Sequence, residues 1–188
     1  MIHTHTFQGV TVRTGDLLAT RDGTPRLSGQ FWRIVGGLIP GEVEHIVVYV
    51  GLGPRCVEAG AKGKVLAFEA RDDWDGEAMQ GDRGFIDTLH GAAYPLAGKD
   101  VPPEKETRIR ETVAAYCLHQ AAEEKPYNLN FMNPDTEEAF YCSQLAYRAY
   151  LPHGVNLNAG RGLPNFGLTR RIVFPQEVWD LCEHTRVP

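Results

Sequence analysis

Two strand-like runs joined by a Gly and Pro turn constrain this chain more than any other feature. His45 to Val50 is dense in β-branched and aromatic residues, and Arg55 to Glu58 follows after Gly51, Leu52, Gly53 and Pro54. Such a pair is expected to form a hairpin. Lys64 to Ala70, after the loop Gly60 to Gly63, reads as a third strand of the same sheet. Upstream, Gly15 and Asp16 form a turn entering a short buried strand around Leu17, Leu18 and Ala19. Leu27 to Leu38 has Phe31, Trp32, Ile34 and Val35 at near-helical spacing and is stopped by Pro40 and Gly41.

Downstream the pattern becomes helical. Pro102 and Pro103 open a helix with Ile109, Val113, Tyr116 and Cys117 on one face and Glu104, Lys105, Glu106, Arg108 and Arg110 mostly on the other. It is expected to end near Glu124, before Lys125 and Pro126. The acidic, Gly-containing segment Asp72 to Asp87 reads as a solvated loop. Its carboxylates lack the spacing of a calcium loop. The tail has turn-rich Asn158 to Gly167, an expected strand Thr169 to Phe174 and a short helix after Pro175. Strands grouped before helices point to the α+β class.

At 188 residues and 43% hydrophobic content, the chain is the size for one full core, so residues 1–188 read as a single domain. Net charge is −5 and the basic residues are scattered without a stripe, which excludes a nucleic-acid surface. Met1 to Val10 lacks the cation and apolar run of a secretory signal, and no stretch approaches the roughly 18 apolar residues of a membrane span. A cytoplasmic protein without stable membrane insertion is expected. Cys56, Cys117, Cys142 and Cys182 show no short repeated spacing and read as free thiols.

Cys142 is the cysteine whose surroundings suggest chemistry. Two helix starts are open. Thr136 can cap a helix that leaves Cys142 in its second turn, or the chain stays irregular until Phe140 or Tyr141 and Cys142 falls in the first. Only the second aims free backbone N–H groups and the positive end of the helix dipole at the sulfur. A thiolate nucleophile also needs a base and an orienting group. His45, presented at the start of a strand, is the base candidate. Glu58 lies between Val57 and Ala59, where an ionised carboxylate needs a partner.

The remaining histidines compare poorly. His3 and His5 sit near a terminus expected to fray, His119 is on a polar helix face, and His90, His153 and His184 are in turn-like or terminal contexts. No metal-ligand spacing such as HExxH or CxxC is present, and GxSxG, P-loop and GxGxxG motifs are missing. No metal or cofactor is expected.

Gly15-Asp16-Leu17-Leu18, Ile39-Pro40-Gly41 followed by His45 and Val48-Tyr49-Val50-Gly51, Val57-Glu58-Ala59, Lys125-Pro126-Tyr127, Tyr141-Cys142-Ser143-Gln144-Leu145 and Val173-Phe174-Pro175 occur in that order. Together they resemble the circularly permuted papain-like cysteine hydrolases of the NlpC superfamily, and within it the YiiX-like permuted amidases. The resemblance implies an antiparallel half-barrel sheet packed against helices, with Cys142 as nucleophile, His45 as general base and acid, and Glu58 orienting the imidazole. It also implies substrate contacts from Tyr127, Tyr141 and Ser143. The chain departs from the family pattern at Asn128 and Gln144, where carboxylates are usual.

The expected activity is hydrolysis of an amide, in a small amide, peptide or lipidated amino acid, through a thioacyl-enzyme intermediate. Two alternatives stand beside it. One is a lipid-directed acyltransferase or thioesterase on the same fold, with Phe31 to Ile39 lining an acyl groove. The other is a binding module without turnover.

Overall fold

The hairpin expected between His45 and Glu58 is the middle of a larger sheet. A computed structural model describes residues 1–22, 40–163 and 167–188. Strands β1 (Thr4–Phe7) and β2 (Val10–Arg13) form a separate hairpin. Six further strands, β3 (Leu17–Arg21), β4 (His45–Tyr49), β5 (Arg55–Ala59), β6 (Val65–Glu69), β7 (Thr88–Tyr94) and β8 (Glu183–Arg186), make one antiparallel sheet in the order β6-β5-β4-β3-β7-β8. Among the described residues four α-helices accompany it: α1 (Gly76–Arg83), α2 (Pro103–Ala122), α3 (Cys142–Tyr150) and α4 (Pro175–Asp180). The fold is α+β, an antiparallel six-stranded sheet packed against helices.

Strand alternation divides the interior in two. Leu17, Ile46, Val48 and Val57 face the apolar sides of α2 and α3, where Ile109, Val113, Cys117, Leu145 and Ala146 meet them. Leu18, Val47 and Tyr49 point the other way, onto Phe7, Val10 and Val12 of the β1–β2 hairpin and onto Trp74 and Met79. Each of the larger side chains contributes ~1.5–3 kcal/mol by leaving water. The central strands are therefore apolar on both faces, which explains the unbroken run Ile46 to Val50.

The Gly15-Asp16 turn locks the helices to this sheet. Asp16 accepts the backbone N–H of Arg13 at 2.7 Å and binds the Arg110 guanidinium at 2.7 Å. Arg110 also donates to the Thr14 carbonyl, and the Tyr150 hydroxyl donates to the Gly15 carbonyl at 2.7 Å. Gly15 stands at φ +91°, a left-handed conformation that favours glycine. Arg110, expected on the polar face of α2, is in fact buried, because the Asp16 carboxylate draws it inward.

Four other sequence expectations are corrected. Asp72 to Asp87 is not a solvated loop: it contains α1, capped by Asp75 on the Ala78 N–H, and buries Trp74, Met79, Arg83 and Phe85. The strand expected over Thr169 to Phe174 is replaced by a 3₁₀ turn, Gly167–Arg171. The N-terminal histidine region is a strand, with His5 hydrogen-bonded to Asp72 at 2.7 Å. His90 lies buried within β7 rather than in a turn. The helical stretch expected at Leu27 to Leu38 lies outside the described residues. Among the described residues no helix is long and apolar enough to cross a membrane.

Candidate active site

Of the two helix starts open for Cys142, the structure has the later one. Tyr141 is the N-cap, in extended conformation, and Cys142 is the first helical residue of α3. The first intrahelical bond runs from the Leu145 N–H to the Tyr141 carbonyl at 3.0 Å. The preceding N–H groups have no partner one turn back and concentrate positive potential at the sulfur. Gln144 accepts the Tyr141 N–H at 3.2 Å, closing one half of a capping box.

The sulfur sits where the sheet opens. The β4–β5 ladder runs over Tyr49↔Cys56 and Val48↔Val57 and stops there. In this register the Val50 N–H points at β5, bonding the Arg55 carbonyl at 3.0 Å. By alternation the Ile46 N–H points the same way, beyond the last paired residues. It donates to the Cys142 sulfur instead, together with the N–H of Ser143.

His45, at the first position of β4, and Glu58, near the end of β5, share one face of this opening. The His45 Nε2 meets Glu58 Oε2 at 2.9 Å. With Nε2 occupied, Nδ1 is the nitrogen left for the hydrogen bond that His45 makes with Cys142. The Phe85 ring packs edge-on against the imidazole, centroids 5.1 Å apart. The sequence demands a partner for a carboxylate at Glu58, and the resemblance makes that partner His45. Glu58 is fully buried on an interior strand and has that partner.

The loop before His45 is held from the far end of the chain. Gln176 of α4 accepts the backbone N–H groups of Glu42 and Val43 at 2.9 and 3.0 Å. A side chain at Gly41 would collide with Gln176, and the residue stands at φ +89°. Glycine is required there on both counts.

Electrostatics separates Cys142 from the other three cysteines. Burial opposes ionisation of all four. Burial pushes Cys117 and Cys182 up to about 12 and Cys56 higher still. At Cys142 the same penalty is overcome by the imidazolium of His45 and the N–H groups of Ile46 and Ser143, and its pKa falls below the ordinary thiol value. Burial works to lower His45, but Cys142 and Glu58 on its two nitrogens outweigh it and raise it to about 10. With His45 raised to about 10 and Cys142 lowered, the thiol gives up its proton before the imidazolium does.

Burial would likewise raise Glu58. Arg83 and His45 instead hold it down at about 2. Arg83, fully buried at the end of α1, contacts both Glu58 oxygens and also binds Asp87. Sequence reading missed Arg83 and Asp87. The available signal was a lone arginine, i,i+4 from an aspartate, among Trp74, Met79 and Phe85.

The three expected substrate contacts differ in placement. Tyr127 is brought near the site: burial, and next the Cys142 sulfur, push its phenol well above 10. The Tyr141 hydroxyl is occupied instead by the Val173 N–H at 3.0 Å. Ser143 is fully buried and donates to the Val173 carbonyl at 2.6 Å. These two side chains pin the tail segment against the start of α3, which is a different use from contacting substrate.

Asn128 and Gln144 form a matched pair. Asn128 Nδ2 donates to Gln144 Oε1 at 2.9 Å and to the Asn133 carbonyl at 3.1 Å, while its Oδ1 accepts the Asn130 N–H. Gln144 Nε2 donates to the carbonyls of Pro134 and Thr136. Each amide thus uses both its donor and acceptor ends to tie the loop before Cys142 to α3. Asn128→Asp would set a buried carboxylate against two acceptors, and a loss of about 2–4 kcal/mol is expected. Urea unfolding measures it, and an unchanged midpoint would show that the pair does not hold the loop.

Among the described residues, no group of three or more His, Cys, Asp or Glu side chains is placed to hold a metal ion. A groove of about 690 Å³ beside β6, lined in part by Arg55, Lys62, Leu66 and Asp82, contains none of Cys142, His45, Glu58, Arg83 and Tyr127. Comparison with protein-family models, with curated proteins and with solved structures found no match. The functional reading of the site therefore rests on its own geometry.

Proposed function

We propose that this chain is a cysteine hydrolase that cleaves an amide bond, on a permuted papain-like (NlpC-type) scaffold. The observation that carries this reading is the arrangement Cys142–His45–Glu58, with the sulfur at the N-terminus of a helix and its pKa lowered despite burial. The order of histidine strand before cysteine helix agrees with the permuted scaffold. Small amides, peptides and lipidated amino acids are the substrates that the sequence resemblance implies.

In this mechanism the Cys142 thiolate adds to the amide carbonyl, and the oxyanion forms beside the Cys142 backbone N–H at the helix start. As the C–N bond breaks, the His45 imidazolium gives its proton to the departing amine. His45, now neutral, takes a proton from water, which attacks the thioester and releases a carboxylic acid and Cys142. Glu58 holds the ring orientation and balances its charge.

The test is mass spectrometry of protein mixed rapidly with aminocoumarin amides of short acyl and peptidyl groups. Acid quenching should trap one acyl group on Cys142, with free amine and free acid as products. The pH profile should rise below the ordinary thiol value and fall through about 10, where His45 loses the proton needed by the leaving group. No adduct and no release across the panel would count against hydrolysis.

A further inference from the structure

We infer that Arg83 is a positioning residue for the proposed nucleophile, acting through Glu58 to keep the carboxylate ionised and aimed at His45. The inference rests on the reading of Cys142 as an activated thiolate.

The geometry is specific. Arg83 Nε lies 3.2 Å from each Glu58 oxygen, and Nη2 lies 2.8 Å from Oε2, the same oxygen that meets His45. Nη1 and Nη2 reach the two oxygens of Asp87 at 2.6 and 2.9 Å. Asp87 Oδ1 also accepts the indole N–H of Trp74 at 3.0 Å. The guanidinium carbon lies 4.8, 5.1 and 4.5 Å from the ring centroids of Phe68, Trp74 and Phe85. A planar fork bound along two edges and packed by three rings has one orientation, and it fixes the plane of the Glu58 carboxylate. A side chain at Gly60 would come within 3.0 Å of Glu58 Oε1, so the strand end leaves room for that plane.

The charge count explains why the arrangement matters to the sulfur. Cys142, Glu58 and Asp87 supply three negative charges, and His45 and Arg83 two positive ones. Without Arg83 there are two outcomes for Glu58. If it takes a proton, His45 loses the charge that supports the imidazolium. If it stays ionised, an uncompensated anion stands beside the thiolate. Both raise the pKa of Cys142. A buried ion pair that merely attached α1 to the sheet would affect stability and leave the sulfur's titration where it is.

The experiment is a pH series of iodoacetamide alkylation at Cys142, read by peptide mass spectrometry. It is run on folded, gel-filtered wild type, Arg83→Met, Glu58→Gln and the double variant. Arg83→Met is expected to raise the midpoint by about one pH unit or more, and the double variant should match Glu58→Gln within about 0.3 unit. A wild-type midpoint in Arg83→Met overturns the inference, as does simple addition of the two shifts. Asp87→Asn serves if Arg83→Met does not fold. It frees the guanidinium for Glu58 and should leave the midpoint at or below that of wild type, and an upward shift like that of Glu58→Gln overturns the inference. An ordinary midpoint in the unsubstituted protein removes the hydrolase reading itself, and the role of Arg83 with it. A low midpoint that Arg83→Met fails to raise removes the inference alone.

Discussion

Cys142→Ser is expected to abolish turnover, by about 10⁴-fold or more, while leaving the melting temperature within a few degrees of wild type. The replacement is nearly the same size at a buried position. It keeps the helix start, the Ile46 and Ser143 N–H groups and the His45–Glu58 pair, and removes only the polarisable nucleophile. The same variant should lose rapid labelling by iodoacetamide at pH 7. Cys117 and Cys182, pushed up to about 12, hold roughly one thiolate in 10⁵ at that pH, and Cys56 fewer. Labelling of the wild-type chain should therefore be almost wholly at Cys142. Equal slow labelling of all four cysteines, or undiminished turnover in Cys142→Ser, would sink the assignment.

His45→Gln should produce the second largest effect, a loss of about 10²–10⁴-fold in turnover together with a reversal in the sign of the Cys142 shift. Burial is the largest influence on this thiol and acts upward; His45 is the main influence acting downward. Without the imidazolium, two backbone N–H groups remain against full desolvation. The alkylation midpoint should move from below the ordinary thiol value to above about 8.5. A midpoint that stayed low would mean that the helix terminus alone activates the sulfur, and His45 would lose its assigned part in the resting state.

How much of this was legible in the sequence depended on the range of the interactions. The hairpin was readable because β-branched density and a Gly/Pro turn are local signals, and Glu58 because a carboxylate between Val57 and Ala59 demands a partner. The choice between Thr136 and Tyr141 as the start of α3 was not readable. It is decided by Asn128 and Gln144, 16 residues apart, whose amides hold the intervening loop out of helix. Asp72 to Asp87 misled because its acidic composition resembles solvent-exposed chain. The burial of Arg83 depends on Glu58, 25 residues away, and α1 is too short for its apolar pattern to stand out. Strand β8 is polar and exposed along its length, so it carried no apolar alternation to detect. Thr169 to Phe174 had strand-like composition, but Val173 spends its backbone groups on Tyr141 and Ser143 rather than on a neighbouring strand.

That last contact ties the start of α3 to a segment near the end of the chain. The surroundings of Cys142 draw on residues near 45, 58 and 142, and Val173 and Gln176 near the end of the chain close them. A nascent polypeptide that has not yet produced this closing segment holds Cys56, Cys117 and Cys142 but lacks Cys182 and every contact that Val173 and Gln176 make. The start of α3 and the loop before His45 thus gain these hydrogen bonds only once the last part of the chain has folded back.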